Sequence, residues 1–275
     1  MPKAKDFIYN APSMFRHLIQ ARPGRVVIAF DYRAEESALV GGMAGCELLL
    51  DIYRAEDDIH LGCAKRARLV PADATALSHK AERKAFKACN LGVVYGARVP
   101  RIAVTGGITL GKAQQFYDLH RAMFFEVHEF CERVVEHTRE TRLLVLQDGW
   151  RTRTLPPFKP TRAANAPIQG TAGGILRRAV LGCYAASLPL IATVHDSLVF
   201  EVSIEDAEAL ILTVVRIMGD ASEWFVPGLR LKVDVSASAP LPHLAHLAIG
   251  PLADPETRAV YERHLARAAR SKAAA

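Results

Sequence analysis

Two short apolar runs, each joined to an aspartate, bracket most of this chain and constrain what it can fold into. The first is Arg25–Phe30 (RVVIAF). Its β-branched content reads as a buried strand, and Asp31 follows it directly. The second is Ile191–Val202, whose apolar arms flank the polar tip His195-Asp196-Ser197 and predict a β-hairpin. Between them the pattern is mostly helical. It predicts a helix pair over 35–57 interrupted by Gly41, Gly42 and Gly45, a basic helix at Lys80–Tyr95 and a long helix from Thr109 to Thr141. Strand-like Leu143–Leu146, the loop LPPFKP and a helix at Ala163–Ser187 follow. A helix at 204–223 and a strand at Leu229–Val235 come after the hairpin. Strands at both ends with a helical block between them exclude regular βαβ alternation. They predict an α+β layout with a helical insertion.

Composition sets the outer bounds. A length of 275 residues allows one large domain or two modest ones, and 50% apolar content excludes global disorder. No apolar run approaches the roughly 20 residues that span a bilayer, and the N-terminus has no apolar signal region, so a cytoplasmic protein without membrane partners is expected. Five cysteines without C-x-x-C spacing argue against a disulfide framework or a zinc ribbon. The net charge of +6 suits a nucleic-acid or nucleotide partner without requiring one.

The two aspartates carry the sharpest chemistry. If their strands are neighbours, the carboxylates converge and repel, and hard oxygen ligands suit Mg²⁺ as the ion that resolves the repulsion. Alternatively, Asp31 is a helix cap and Asp196 a turn residue. The basic helix adds weight to the first reading. Arg83, Lys87, Leu91 and Tyr95 recur every four residues and share one broad face. Arg83 and Lys87 are like charges one turn apart, an unfavourable pairing that a polyanion across the face offsets. A solvated basic face is the plainer reading.

These residues, in this order, resemble the family A (bacterial polymerase I-like) DNA polymerases. The signatures are D-Y-x-x-x-E at Asp31-Tyr32-Arg33-Ala34-Glu35-Glu36, R-x-x-x-K-x-x-N-x-G-x-x-Y-G from Arg83 to Gly96, and V-H-D at Val194-His195-Asp196. Asn165-Ala166-Pro167-Ile168-Gln169-Gly170-Thr171-Ala172 looks like the family's N-x-P-x-Q-G-T-A segment, with Arg162 just upstream. Asp58-Ile59-His60 is a typical connector before the basic helix. The resemblance covers about residues 12–240.

The resemblance implies a right-hand polymerase palm, an antiparallel sheet with packed helices, carrying a helical fingers insertion. The palm would be residues 1–60 and 142–250, the fingers 61–141, and 251–275 a basic Ala/Arg-rich tail. It implies that Asp31 and Asp196, with the Tyr32 backbone, hold two Mg²⁺ ions. Arg83 and Lys87 would grip the triphosphate of a dNTP, and Tyr95 would pack near the nascent base pair; Leu91, on the same helix face, suits a base or sugar. Glu36 would be a steric gate against a ribose 2′-hydroxyl. His195, Arg162, Asn165 and Gln169 would contact primer-template DNA. The implied activity is template-directed DNA synthesis from dNTPs. Thumb and exonuclease portions are expected to be absent, so no proofreading is expected and a second polypeptide could supply a thumb.

The pattern departs from the family at several positions. Ser197 stands where a third carboxylate is usual, Leu91 where an aromatic is common, and Gly174 where an Asp is common. Arg162 lies one residue closer to Asn165 than usual, and Arg33-Ala34 replaces a usual Ser-Gln. Three other readings remain: a single-subunit phage-type RNA polymerase, which commonly has Ser after the second Asp as here but against which Glu36 argues; a non-catalytic DNA-binding subunit of a split polymerase whose thumb comes from another polypeptide; and a degenerate remnant that binds DNA without chemistry, against which the intact Asp31, Asp196, Arg83, Lys87 and Tyr95 argue. Gly106–Lys112 nearly matches a P-loop, with Arg101–Thr105 as its strand. Ala113 lacks the required hydroxyl, so Thr109 reads better as a helix cap. His243 and His246 lack metal-spaced partners and read as surface histidines.

Overall fold

The computed structural model describes residues 20–239, 241–247 and 249–251. In chain order the elements begin with β1 (Arg25–Tyr32), α1 (Glu35–Ala44), α2 (Glu47–Ala55), α3 (Ile59–Arg66), α4 (Lys80–Val94), α5 (Val99–Gly106), α6 (Leu110–Met123) and α7 (Phe125–Thr141). They continue with β2 (Leu143–Val145), β3 (Arg151–Arg153), α8 (Pro160–Ala185), β4 (Leu190–Val194), β5 (Ser197–Ser203), α9 (Ala207–Phe225), β6 (Val233–Ala237) and β7 (Gly250–Pro251). The predicted basic tail lies outside the described residues apart from Pro251. The chain divides into two compact units. One comprises residues 1–33, 176–221 and 232–275, and the other 34–175 and 222–231.

The first unit is built on a five-stranded sheet in the order β4-β5-β1-β6-β7. β1 lies at its centre, antiparallel to both β5 and β6, and only β6 with β7 runs parallel. Its apolar residues explain that position: Val26, Val27, Ile28 and Phe30 are all buried. Phe30 meets Phe200 of β5 edge to face at 5.4 Å. Tyr32 is buried too, and its hydroxyl donates to the Met218 carbonyl of α9 at 3.0 Å. The α+β class with an antiparallel sheet is as expected.

The second unit is mainly helical. Phe86 of α4 packs on Phe116 of α6, with ring centroids 5.8 Å apart. The predicted 109–141 helix is two helices, because Phe124 leaves helical geometry (φ −128°, ψ 50°). Its ring is fully buried against His120, and the break lets His120 of α6 hydrogen-bond His128 of α7 at 3.0 Å. No Gly or Pro marks this break, so periodicity alone runs through it. The candidate strand at Arg101–Thr105 is instead the helix α5. Pro100 sits in its first turn and Gly107 ends it in a left-handed conformation (φ 69°), the usual start and stop signals. Thr109 does cap α6, accepting from the Lys112 amide at 3.3 Å. β6 starts four residues later than predicted, after the turn at Pro227–Gly228. All five cysteines are buried and unpaired. Among the described residues no helix is long and apolar enough to cross a membrane. His246 is exposed and lies 3.5 Å from Glu208.

Candidate active site

In the first unit, β1 and β5 are paired with Phe30 opposite Leu198, and β4 turns into β5 through His195 and Asp196 alone. Neighbouring strands therefore bring Asp31 and Asp196 together. The like charge of Asp31 falls on Asp196, whose carboxyl is pushed up to about 6, first by burial and then by that neighbour. The Ser197 hydroxyl donates to Asp31 Oδ1 at 2.6 Å. No Lys or Arg pairs with either carboxylate among the described residues. Asp234, opposite Asp31 on β6, is already ion-paired with Arg33.

The backbone beside both carboxylates is strained. Ala34, which turns the chain out of β1, has φ 49°, and His195 has φ 57°. A positive φ at the first position of a two-residue hairpin favours glycine, and a side chain there costs on the order of 1 kcal/mol. His195 itself is exposed at the turn.

In the second unit, α4 carries the basic face. Lys87, Leu91 and Tyr95 line a cleft of about 460 Å³ together with Arg101 and Thr105 of α5. Lys87 is exposed and has no ion-pair partner among the described residues. Arg83 is held differently: its Nε donates to Asp58 Oδ2. Asp58 also caps α3, accepting from the amides of His60 and Leu61 at 3.1 Å each. Burial would raise the Asp58 carboxyl, but the Arg83 bond and the Leu61 amide outweigh it and hold it low.

Glu36, Tyr95 and Gln169 form one network. The Tyr95 hydroxyl donates to Glu36 Oε1 at 2.6 Å, and Gln169 Nε2 donates to the same oxygen and to Tyr95 Oη at 3.3 Å. Burial, and then the bond to Glu36, push the Tyr95 hydroxyl up to about 12, so it remains a donor. Asn165 sits one turn before Gln169 on α8. It is buried, reaches Tyr95, and leaves its Oδ1 without a partner. Arg162, in the first turn of α8, is exposed and joins none of these contacts. At Gly174 a Cβ would lie 2.5 Å from the Phe225 ring, so the space of the family's usual Asp side chain is taken by that aromatic.

Several residues of the site carried no assigned role in the sequence reading. His60 is buried, and its Nδ1 accepts from Asn90 Nδ2 at 3.1 Å. Burial and the cations Lys87 and Arg83 hold the ring neutral, at about 4, against the pull of Asp58. The acidic cap before α3 was a readable signal for Asp58. No sequence signal pointed to the Ser197–Asp31 bond.

The sequence profile of DNA polymerase family A matches residues 8–240. The chain belongs to that family. It is 30% identical over 233 residues to the thermostable DNA polymerase I of Thermus filiformis, an alignment covering 80% of this chain and 27% of that protein. DNA polymerase I of Bacillus subtilis is 29% identical over 228 residues, covering 77% of this chain and 25% of that protein. The family A chain thus spans about a quarter of the length of these relatives. The fold also matches the POL domain of Pol1 from M. smegmatis, solved in complex with DNA primer-template and dNTP. That match has a TM-score of 0.69 and 26% identity, covering 81% of this chain and 41% of the other.

Proposed function

We propose that this chain catalyses template-directed DNA synthesis, joining a primer 3′-hydroxyl oxygen to the α-phosphorus of a dNTP with release of pyrophosphate. The observation that carries this reading is the pairing of Asp31, near the end of β1, with Asp196, in the turn between β4 and β5. Burial and the charge of Asp31 push the Asp196 carboxyl up, and among the described residues neither carboxylate has a Lys or Arg partner. Their donor chemistry, oxygen only, fits hard divalent cations such as Mg²⁺. Asp31, Asp196 and the Tyr32 backbone would hold two such ions. When bound, the ions would lower the charge barrier between the attacking oxygen and the phosphate.

The remaining residues bind and orient. Lys87 presents an unpaired ammonium to the triphosphate. Arg83 joins it by exchanging part of its Asp58 contact for phosphate oxygens. Leu91 and Tyr95 offer apolar surface to the base and sugar. Glu36, held by Tyr95 and Gln169, limits the room beside the sugar and selects a 2′-deoxyribose. Asn165, with an unsatisfied buried oxygen, and His195 and Arg162, exposed, contact primer or template. Positioning and charge neutralisation supply most of the catalysis in such phosphoryl transfers. The M. smegmatis neighbour, solved with primer-template and dNTP, supports these partners.

Primer extension with Mg²⁺ and either dNTPs or rNTPs tests the reading. Extension with dNTPs that is lost in Asp31→Ala and Asp196→Ala is expected. Equal use of rNTPs would favour the RNA polymerase reading, and extension that survives both substitutions would remove the carboxylates from catalysis.

A further inference from the structure

Asp31 stands in a row of side chains that crosses three strands of the first unit's sheet. β1 and β5 pair with Phe30 opposite Leu198, so the next position along sets Ser197 opposite Asp31. On the other side, β6 sets Asp234 opposite Asp31. Directly opposed residues share a face of the sheet, with Cβ atoms about 5 Å apart. Ser197, Asp31 and Asp234 are therefore neighbours on one face. Arg33 reaches the same face, where its Nε donates to Asp234 Oδ1 at 2.7 Å.

The two flanks of Asp31 are handled differently. Asp234 is a like charge directly opposite, a destabilising arrangement that Arg33 offsets. On the β5 flank a neutral donor stands instead. Ser197 is half-buried at the first position of β5, where it pairs with Val194 across the two-residue turn. Its hydroxyl donates to Asp31 Oδ1 at 2.6 Å, the short range of charge-assisted O–H···O⁻ bonds. An ionised glutamate, usual at this position in the family, has no proton to donate and would add a second like charge opposite Asp31. The chain has thus exchanged a charge for a hydrogen bond at this point of the sheet. Two carboxylates, Asp31 and Asp196, remain toward a cation, and Asp31 is the one the hydroxyl anchors.

We propose that Ser197 is a positioning residue, whose hydroxyl fixes the Asp31 carboxylate for binding a divalent cation in place of the charge that a third carboxylate would supply. Carboxylates that ligate metals are themselves hydrogen-bonded, and loss of such a partner typically costs roughly 10- to 100-fold in metal affinity or activity. A site with two carboxylates has less charge with which to attract an ion. It depends the more on the orientation of those it keeps. The inference rests on the reading of Asp31 and Asp196 as ion ligands, and its test separates the two.

The full chain is titrated with Mn²⁺ alone, with free Mn²⁺ followed by electron paramagnetic resonance, beside primer extension with Mg²⁺ and dNTPs. Ser197→Ala is expected to bind Mn²⁺ about tenfold more weakly and to lower kcat about tenfold, with the KM for dNTP unchanged. Ser197→Thr keeps the hydroxyl on a residue suited to a strand and is expected to recover most of both losses. Wild-type Mn²⁺ affinity in Ser197→Ala, with or without a lower melting temperature, would overturn the proposal, because the hydroxyl would then support the hairpin alone. Asp31→Ala distinguishes the two ways of failing. Mn²⁺ binding that survives Asp31→Ala would remove the carboxylates as ligands, and the inference with them. Binding lost in Asp31→Ala but unchanged in Ser197→Ala would overturn the inference and leave the ligand reading standing.

Discussion

The two units solve opposite electrostatic problems. On the sheet of the first unit, Asp31 and Asp196 face one another with a serine hydroxyl and, among the described residues, no Lys or Arg partner. On the helices of the second, most charged or polar site groups already have protein partners: Arg83 holds Asp58, and Tyr95 and Gln169 hold Glu36. The first arrangement is destabilising as it stands, and a divalent cation would relieve it. The second is satisfied as it stands, and a ligand must exchange contacts to enter. On the proposed reading, function would oppose stability at the carboxylates and largely coincide with it on the α4 face.

The largest effects break the first half of that contrast. Asp196→Asn should lower primer extension on the order of 10³-fold. The same change should raise thermal stability by a few degrees. The Asp196 carboxyl titrates above its ordinary value, so at neutral pH its charge opposes folding, by about 1 kcal/mol once solvent screening is allowed for. A melt beside the extension assay reads both, and a destabilised Asp196→Asn would refute the claim of unrelieved repulsion.

Next in size is the difference between Arg83 and Lys87. Both substitutions to Ala should raise the KM for dNTP roughly 10- to 100-fold, as expected for lost charged phosphate contacts. Only Arg83→Ala should also destabilise the fold, by about 1–3 kcal/mol, because it strands the partly buried Asp58. Equal melting temperatures for the two variants would mean that the Asp58 contact contributes nothing.

How much of this was legible in the sequence follows from the range of each interaction. β1, the basic helix and the His195–Asp196 turn were readable because apolar runs and four-residue spacing are local signals. The helical character of α5 was readable too, from Pro100 and Gly107, yet the apolar run between them suggested a strand. The break at Phe124 left no local mark, since a buried aromatic and a distant pair of histidines determine it. Partner choices such as Arg83 with Asp58, or Ser197 with Asp31, join residues 25 and 166 positions apart. Such contacts follow from the fold and from nothing in the neighbouring sequence.

The second unit also carries an acid sensitivity absent from the carboxylate pair. His60, His120 and His128 are buried and held neutral, at about 4, 3 and 4, chiefly by burial. The unfolded chain takes up protons on these rings near 6.5, while the folded chain does not. The unfolded state therefore binds more protons between these values, and stability falls as pH drops from about 6.5 toward 4. The loss should amount to a few kcal/mol in total. His120→Phe should flatten that limb in melts recorded across the window, and an unchanged limb would show that His120 is not buried neutral.

The smallest effect sharpens the second half of the contrast. Tyr95→Phe deletes one hydroxyl from the network with Glu36 and Gln169. Gln169 still donates to Glu36, so the carboxylate keeps one partner and the stability cost should be about 1 kcal/mol. If Glu36 gates the sugar, it needs a fixed position, and losing one of its two holders should relax discrimination between dNTP and rNTP several-fold. Glu36→Ala should relax it further, about tenfold, because the side chain that limits the space is gone. Competition assays with matched dNTP and rNTP read the ratio directly. A Tyr95→Phe variant that loses stability but keeps full discrimination would show that Gln169 alone positions the gate. Tyr95 would then belong to the satisfied architecture of the second unit and not to its selectivity.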